Sequence, residues 1–268
     1  MIDNQYQTQI LCRKLFEISC KMENSKNKED FLLTSLLISI YNTIESIFIL
    51  LENERYWDIL VLERSVFEGM LKLINLNTGT LDERSVKINE FFYLLPEFEN
   101  IKRYNRAKVV NFNKKNEIKQ IVDIEHGLKS IVNETNNKYT KKERRYIEQK
   151  WSASELCKRI TELEIEHFDM LIYFYNISSN FIHKDATSLG IQNEKTFNYD
   201  ETYFEGLSST ILLNMIHSLS ISVIYFGRHY SKDVNTDITN LIKEYTFLFD
   251  KLKCSYNKWF KKEYESKQ

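Results

Sequence analysis

Three observations predict an all-α fold for this 268-residue chain. It holds a single proline, Pro96, and six glycines, so few obligatory breaks interrupt it. Leu, Ile, Lys and Glu fill long stretches between weak turn signals. Within those stretches apolar residues recur at three- and four-residue steps, the period of a helix face and not of a strand. A hydrophobic content of 43% over this length supplies a core that needs no disulfide or metal staple.

The first helix is expected from about Gln5 to Met22 and is followed by the polar run Glu23–Lys28. Glu29 to about Asn53 forms a second, with Phe31, Leu32, Leu36, Leu37, Ile40, Ile44, Ile47 and Leu51 on one wide stripe. A third, about Arg55 to Asn77, carries Ile59, Leu62, Val66, Met70 and Leu73 and is stopped by Asn77-Thr78-Gly79. From Asp82 a helical pattern runs until Pro96 breaks it, and 97–150 is charged and poorly periodic. Ser152 with Glu155 three residues on is a helix-start pattern for a short helix from Ala153 to about Leu163. A longer helix spans Glu164 to about His183, a polar loop covers 184–200, and helices over Gly206–Tyr230 and about Asp237–Lys262 close the chain. The organisation expected is one helical domain over 1–268, with a core of about 5–96 and 151–262 and a charged helical insertion or arm at about 97–150.

Lys and Arg number 37 against 38 Asp and Glu, so no molecule-wide field attracts nucleic acid or anionic lipid, and any such binding comes from a local patch. Cys12, Cys20, Cys157 and Cys254 show no C-x-x-C spacing and read as reduced thiols. Met1-Ile2-Asp3-Asn4 lacks the basic and apolar regions of a signal peptide, so export by that route is not expected, and the reduced thiols lead to the expectation of a cytoplasmic protein. Gly206–Gly227 is uncharged over about a bilayer's thickness. Its five serines, Asn214 and His217 favour a buried core helix over a membrane span.

The most informative segment is Tyr175-Asn176-Ile177-Ser178-Ser179-Asn180-Phe181-Ile182-His183-Lys184-Asp185. Helical spacing puts Tyr175, Ser179 and His183 on one face, with Asn176 and Asn180 in the adjoining row. At a helix C-terminus the terminal carbonyls favour the imidazolium of His183, making it a candidate proton donor or anion contact; a structural cap is the plainer reading. Glu63-Arg64-Ser65-Val66-Phe67-Glu68 is the second group. Arg64 and Glu68 can pair four apart, in the weaker Arg-first order, as a surface pair or as part of a site. Glu63 points closer to the middle of the apolar stripe, so it must be buried with a partner or border a cavity.

Basic runs with interleaved aromatics, Lys102–Lys115 and Lys141–Tyr146, offer a local surface for a phosphate backbone, although such runs are most often solvated helix faces. The five histidines lack metal-ligand spacing, and no nucleophile elbow occurs, so metal chemistry, bound cofactors and Ser-His-Asp hydrolysis are not expected.

Leu62–Glu68, Trp151-Ser152-Ala153-Ser154-Glu155-Leu156 and Tyr175–His183, taken in that order, resemble an uncharacterised bacterial family of helical proteins, domain-of-unknown-function family 5677, itself similar to the HEPN group. The resemblance covers about residues 30 to 230. It implies a HEPN-like helical bundle, often a homodimer, and many such proteins are RNases of toxin–antitoxin, CRISPR or phage-defence systems. Their motif is an arginine and a following histidine with roughly four to six residues between them, the first steadying phosphate charge and the second handling protons. Here His183 is kept, but Asn176, Ile177 and Ser178 stand where that arginine belongs. Either Arg64 supplies the guanidinium from a neighbouring helix or the site binds without cleaving.

The resemblance thus implies a metal-independent endoribonuclease or toxin effector with His183 as general acid/base, Arg64 as phosphate clamp and Glu68 orienting it. Tyr175, Ser179, Asn180, Asn176, Glu63 and Lys184 would line the substrate site. The alternative is a non-catalytic module that binds a nucleotide or a partner protein. RNA or a nucleotide and a second copy are the partners expected, without a membrane.

Overall fold

The structure is a computed structural model and describes residues 2–22, 28–112, 119–183, 186–230 and 232–262. In chain order the helices are α1 (Ile2–Cys20), α2 (Lys28–Glu52), α3 (Tyr56–Leu76), α4 (Leu81–Asn89), α5 (Leu95–Phe112), α6 (Lys119–Lys138) and α7 (Lys141–Lys150). They continue with α8 (Ala153–Thr161), α9 (Phe168–His183), α10 (Ala186–Phe197), α11 (Glu201–His229), α12 (Asn235–Glu244) and α13 (Thr246–Phe260). No strand occurs among the described residues. The chain is all-α, and it divides into one compact unit of residues 1–77 and 159–268 and a second of 78–158.

The larger unit is organised around α11, which lies against α1, α2, α3 and α13, while α3 also packs on α2 and α9. Three of its buried hydroxyls cost little because they bond to carbonyls one turn back: Ser208 to Phe204, Thr210 to Gly206 and Ser222 to Ser218, at 2.7–2.9 Å. Two helices, α2 and α11, are long and apolar enough to cross a membrane by length and composition. Of the most apolar window, 89% is buried in α11 and 33% in α2. At the start of α2, Asp30 meets His229 at the end of α11, 2.8 Å apart and both largely covered.

Asn77 closes α3 by donating its N–H to Leu73 and Ile74 carbonyls, and Gly79, at φ 88°, supplies the left-handed turn that follows. In the smaller unit Thr80 and Thr140 each head a helix with a reciprocal capping box, to Glu83 and Glu143. Ser152 caps α8 through the Glu155 N–H at 3.4 Å.

Three expectations are corrected. Pro96 does not end a helix: Glu90–Leu94 widens into a π turn in which the Leu95 N–H reaches back to Glu90, and α5 continues through the proline. The wide turn accommodates a ring and a missing donor that a regular helix would not. Residues 186–197, expected as loop, form α10. The last helix is two, α12 and α13, broken at Tyr245.

The charged region is helical through α5, α6 and α7. Three of its basic side chains are engaged within the smaller unit: Lys102 lies 2.8 Å from Glu148 and Arg106 3.6 Å from Glu99, while Arg144 donates to Asn136 and to the Tyr139 carbonyl. Lys114 and Lys115 lie outside the described residues.

Candidate functional site

The apolar stripe of α3 faces α2 and α11, and the residues beside that stripe meet α9. Arg64 Nε donates to Glu68 Oε1 at 2.8 Å, one turn along α3. The same guanidinium crosses to α9, where Nη1 donates to Ser179 Oγ at 3.2 Å. Tyr175, one turn before Ser179, donates its hydroxyl to Glu68 Oε1 at 3.2 Å and places its ring 5.2 Å beneath the guanidinium carbon. Phe67 supports that ring from the core side at 4.9 Å between centroids.

This is not an ordinary surface pair. Arg64 and Glu68 keep 25% and 30% of their side-chain exposure, and each has a partner on a second helix. The hydrogen bond that Arg64 donates to Glu68 raises its pKa further, so the guanidinium stays charged. Fixed by one carboxylate, one hydroxyl and one ring, it remains a partly exposed cation able to receive an anion.

Behind it lies a buried counterpart. Glu63, 5% exposed, accepts from Asn214 Nδ2 of α11 at 2.6 Å and from Ser178 Oγ of α9 at 3.4 Å. Burial pushes its carboxyl up to about 7, against the pull of both hydrogen bonds. Glu63 is therefore buried with partners, one of the two outcomes its place on the stripe demanded. The composition of the two segments did not identify those partners: Ser178 stood among the positions of a missing arginine, and Asn214 among the polar groups of an apolar helix.

The structure brings together Arg64, Glu68, Tyr175 and Ser179, with Glu63 on the inner side. Asn176 and Asn180 are exposed on α9, and the Asn180 carbonyl accepts from Ser188 of α10 at 3.1 Å. His183 is the last residue of α9, one turn beyond Ser179; its side chain, and Lys184, lie outside the described residues. Among the described residues no three His, Cys, Asp or Glu side chains gather as metal ligands.

An all-helical chain with a half-buried arginine cluster between two packed helices is the class these observations define. Residues 30–198 match the Family of unknown function (DUF5677), and the chain belongs to that family. The match contains the whole of α3 and α9, and with them every member of the arginine cluster. No curated protein and no solved structure matches the chain.

Proposed function

We propose that this chain is a HEPN-like protein acting on RNA as a metal-independent endoribonuclease, a toxin effector in bacterial phage defence. The contact between Arg64 and Ser179 carries the reading, because it sets a guanidinium from α3 beside the turn of α9 that leads into His183. Residues four apart on a helix stand about 5–6 Å apart at Cβ, a separation one phosphate can bridge. In this reading Arg64 clamps the phosphate and Glu68 orients it, while Tyr175, Ser179 and Asn180 hold the strand.

His183 takes the proton of a ribose 2′-hydroxyl as its oxygen bonds to phosphorus. The bond from phosphorus to the 5′-oxygen breaks, a proton goes to that oxygen, and a 2′,3′-cyclic phosphate and a 5′-hydroxyl remain. The protein would act in the cytoplasm as a homodimer; the outward residues Phe31, Ile38 and Ile49 give α2 an apolar face for a second copy.

The test is incubation of purified protein with mixed RNAs in EDTA. Cleavage to cyclic-phosphate ends is expected, with a loss of about a hundredfold or more in Arg64→Ala and His183→Ala. No cleavage by the unsubstituted protein, or equal cleavage by His183→Ala, ends the proposal.

One observation favours a second reading, a nucleotide- or partner-binding module without turnover: Arg64 already commits Nε to Glu68, and Asn176, Ile177 and Ser178 replace the family arginine. That reading expects a nucleotide to raise the melting temperature without being consumed, and Arg64→Ala to remove the rise.

A further inference from the structure

A second site lies on the other side of Asn214. A cavity of about 230 Å³ opens between α9, α11 and α13. Its polar lining comes from His167, Asn214, His217, Lys253 and Asn257, and its apolar wall from Met170, Leu213 and Tyr256. Among the described residues no acidic side chain lines it.

The cavity has the marks of a built site. His167 precedes α9 with φ 63°, in the left-handed region, and its ring stands 4.6 Å from that of His217. Asn214 is 1% exposed; its amide nitrogen is committed to Glu63, and its Oδ1 has no hydrogen-bond partner. A buried unpaired acceptor is costly, and a ligand that donates to it recovers that cost.

Burial first, then the neighbouring His167 and Lys253, hold the His217 imidazole down to about 4. The groups facing it are thus one imidazole and one ammonium, with the Glu166 carboxylate 3.3 Å from the far imidazole and Glu63 reached only through Asn214. At the mouth Lys253 and Asn257 continue into a groove that carries Lys258, Lys261 and, among the described residues, a single carboxylate, Asp250.

We propose that this cavity binds a small phosphomonoester with an apolar body, its phosphate seated among His167, His217 and Lys253, with the P–OH of the phosphate monoanion donating to Asn214 Oδ1. Three cationic or donor groups from three segments suit a tetrahedral anion with several oxygens. The apolar wall and the modest volume select a compact organic group. The site is separate from the Arg64 cluster, so it stands or falls independently of RNA cleavage.

Phenyl phosphate is the probe, with inorganic phosphate and benzoate as the comparison arms, followed by the imidazole carbon–proton signals of the full-length protein in NMR titrations. His217→Gln assigns the His217 signal. Phenyl phosphate should shift both His167 and His217 saturably. It should also raise the His217 midpoint toward its ordinary 6.5, and each pH step of that rise corresponds to about tenfold tighter binding of the imidazolium form. Lys253→Met, on an exposed face of α13, leaves the fold intact and should weaken binding about tenfold. Inorganic phosphate should bind more weakly for want of an apolar body. Absence of a saturable shift, equal binding by Lys253→Met, or benzoate binding as tightly as phenyl phosphate overturns the proposal.

Discussion

Glu63 and His217 give the protein two opposed pH dependences, and replacing Glu63 by Gln separates them. The Glu63 carboxyl sits at about 7 against an ordinary 4.5, and the His217 imidazole at about 4 against 6.5. Between pH 4.5 and 7 the folded chain keeps a proton on Glu63 that the unfolded chain has released. Its stabilising effect is complete below 4.5 and is lost as pH rises through 7. His217 has the reverse sign. Between 4 and 6.5 the unfolded chain binds the proton, so its contribution is complete above 6.5 and is lost as pH falls through 4.

Each gap is worth at most about 3 kcal/mol, at ~1.4 kcal/mol per pH step. The two slopes oppose each other across pH 4.5–6.5 and largely cancel in the intact protein. In Glu63→Gln only the His217 slope survives. Urea unfolding from pH 4 to 8 should therefore show the variant gaining about 3 kcal/mol on the parent protein as pH rises through that range. Taking the difference between the two proteins removes every other titrating group. His217→Gln should give a difference of opposite sign over pH 4–6.5. A Glu63→Gln difference that stays flat within about 1 kcal/mol refutes a carboxyl that keeps its proton in the fold.

Two further expectations concern packing and capping. At Gly206 an added Cβ would overlap Cβ and Cγ of Trp259, which are not the yielding end of that side chain, whereas nothing lies within 4 Å of one added at Gly190. Gly206→Ala should cost about 1–3 kcal/mol in chemical denaturation and Gly190→Ala should add about 0.5–1 kcal/mol, a contrast that equal effects would contradict. Thr80→Ala and Thr140→Ala remove the capping boxes of α4 and α7 and should each cost about 1 kcal/mol, read as faster amide exchange in the first turns of those helices.

What the sequence discloses and what it hides divide along the distance between interacting residues. The stripe Ile59, Leu62, Val66, Met70, Leu73 marks α3 because its period is local, and all but the half-buried Leu62 are buried. α10 has no such stripe: Leu189 and Phe197 are exposed, and its buried side chains include Ser188 and Lys195. The break at Tyr245 is hidden for the opposite reason. Ile238, Leu241, Leu248, Phe249 and Leu252 keep helical spacing straight across it. Arg64 with Glu68 is legible as a pair because both lie on one helix. Ser179 and Asn214, 115 and 151 residues from their partners on α3, are polar residues whose purpose appears only when α3, α9 and α11 are set side by side.

Those three helices also explain why the outer cluster holds its geometry. Successive residues on a helix point about 100° apart, so Glu63 can turn inward while Arg64 turns outward, and Ser178 and Ser179 do the same on α9. The inner pair, Ser178 to Glu63, and the outer pair, Arg64 to Ser179, are therefore two rungs of one ladder between α3 and α9. Asn214 holds the inner rung from the third side with the shorter bond, 2.6 Å against 3.4 Å. Sliding α9 by one residue in one direction would set the longer Asn180 in place of Ser179 at the rim, and in the other would set the apolar Ile177 in place of Ser178 beside Glu63, leaving a buried carboxyl without its donor from α9. The buried carboxyl thus sets the register in which the guanidinium meets the turn before His183, and it does so without touching any ligand of the outer site.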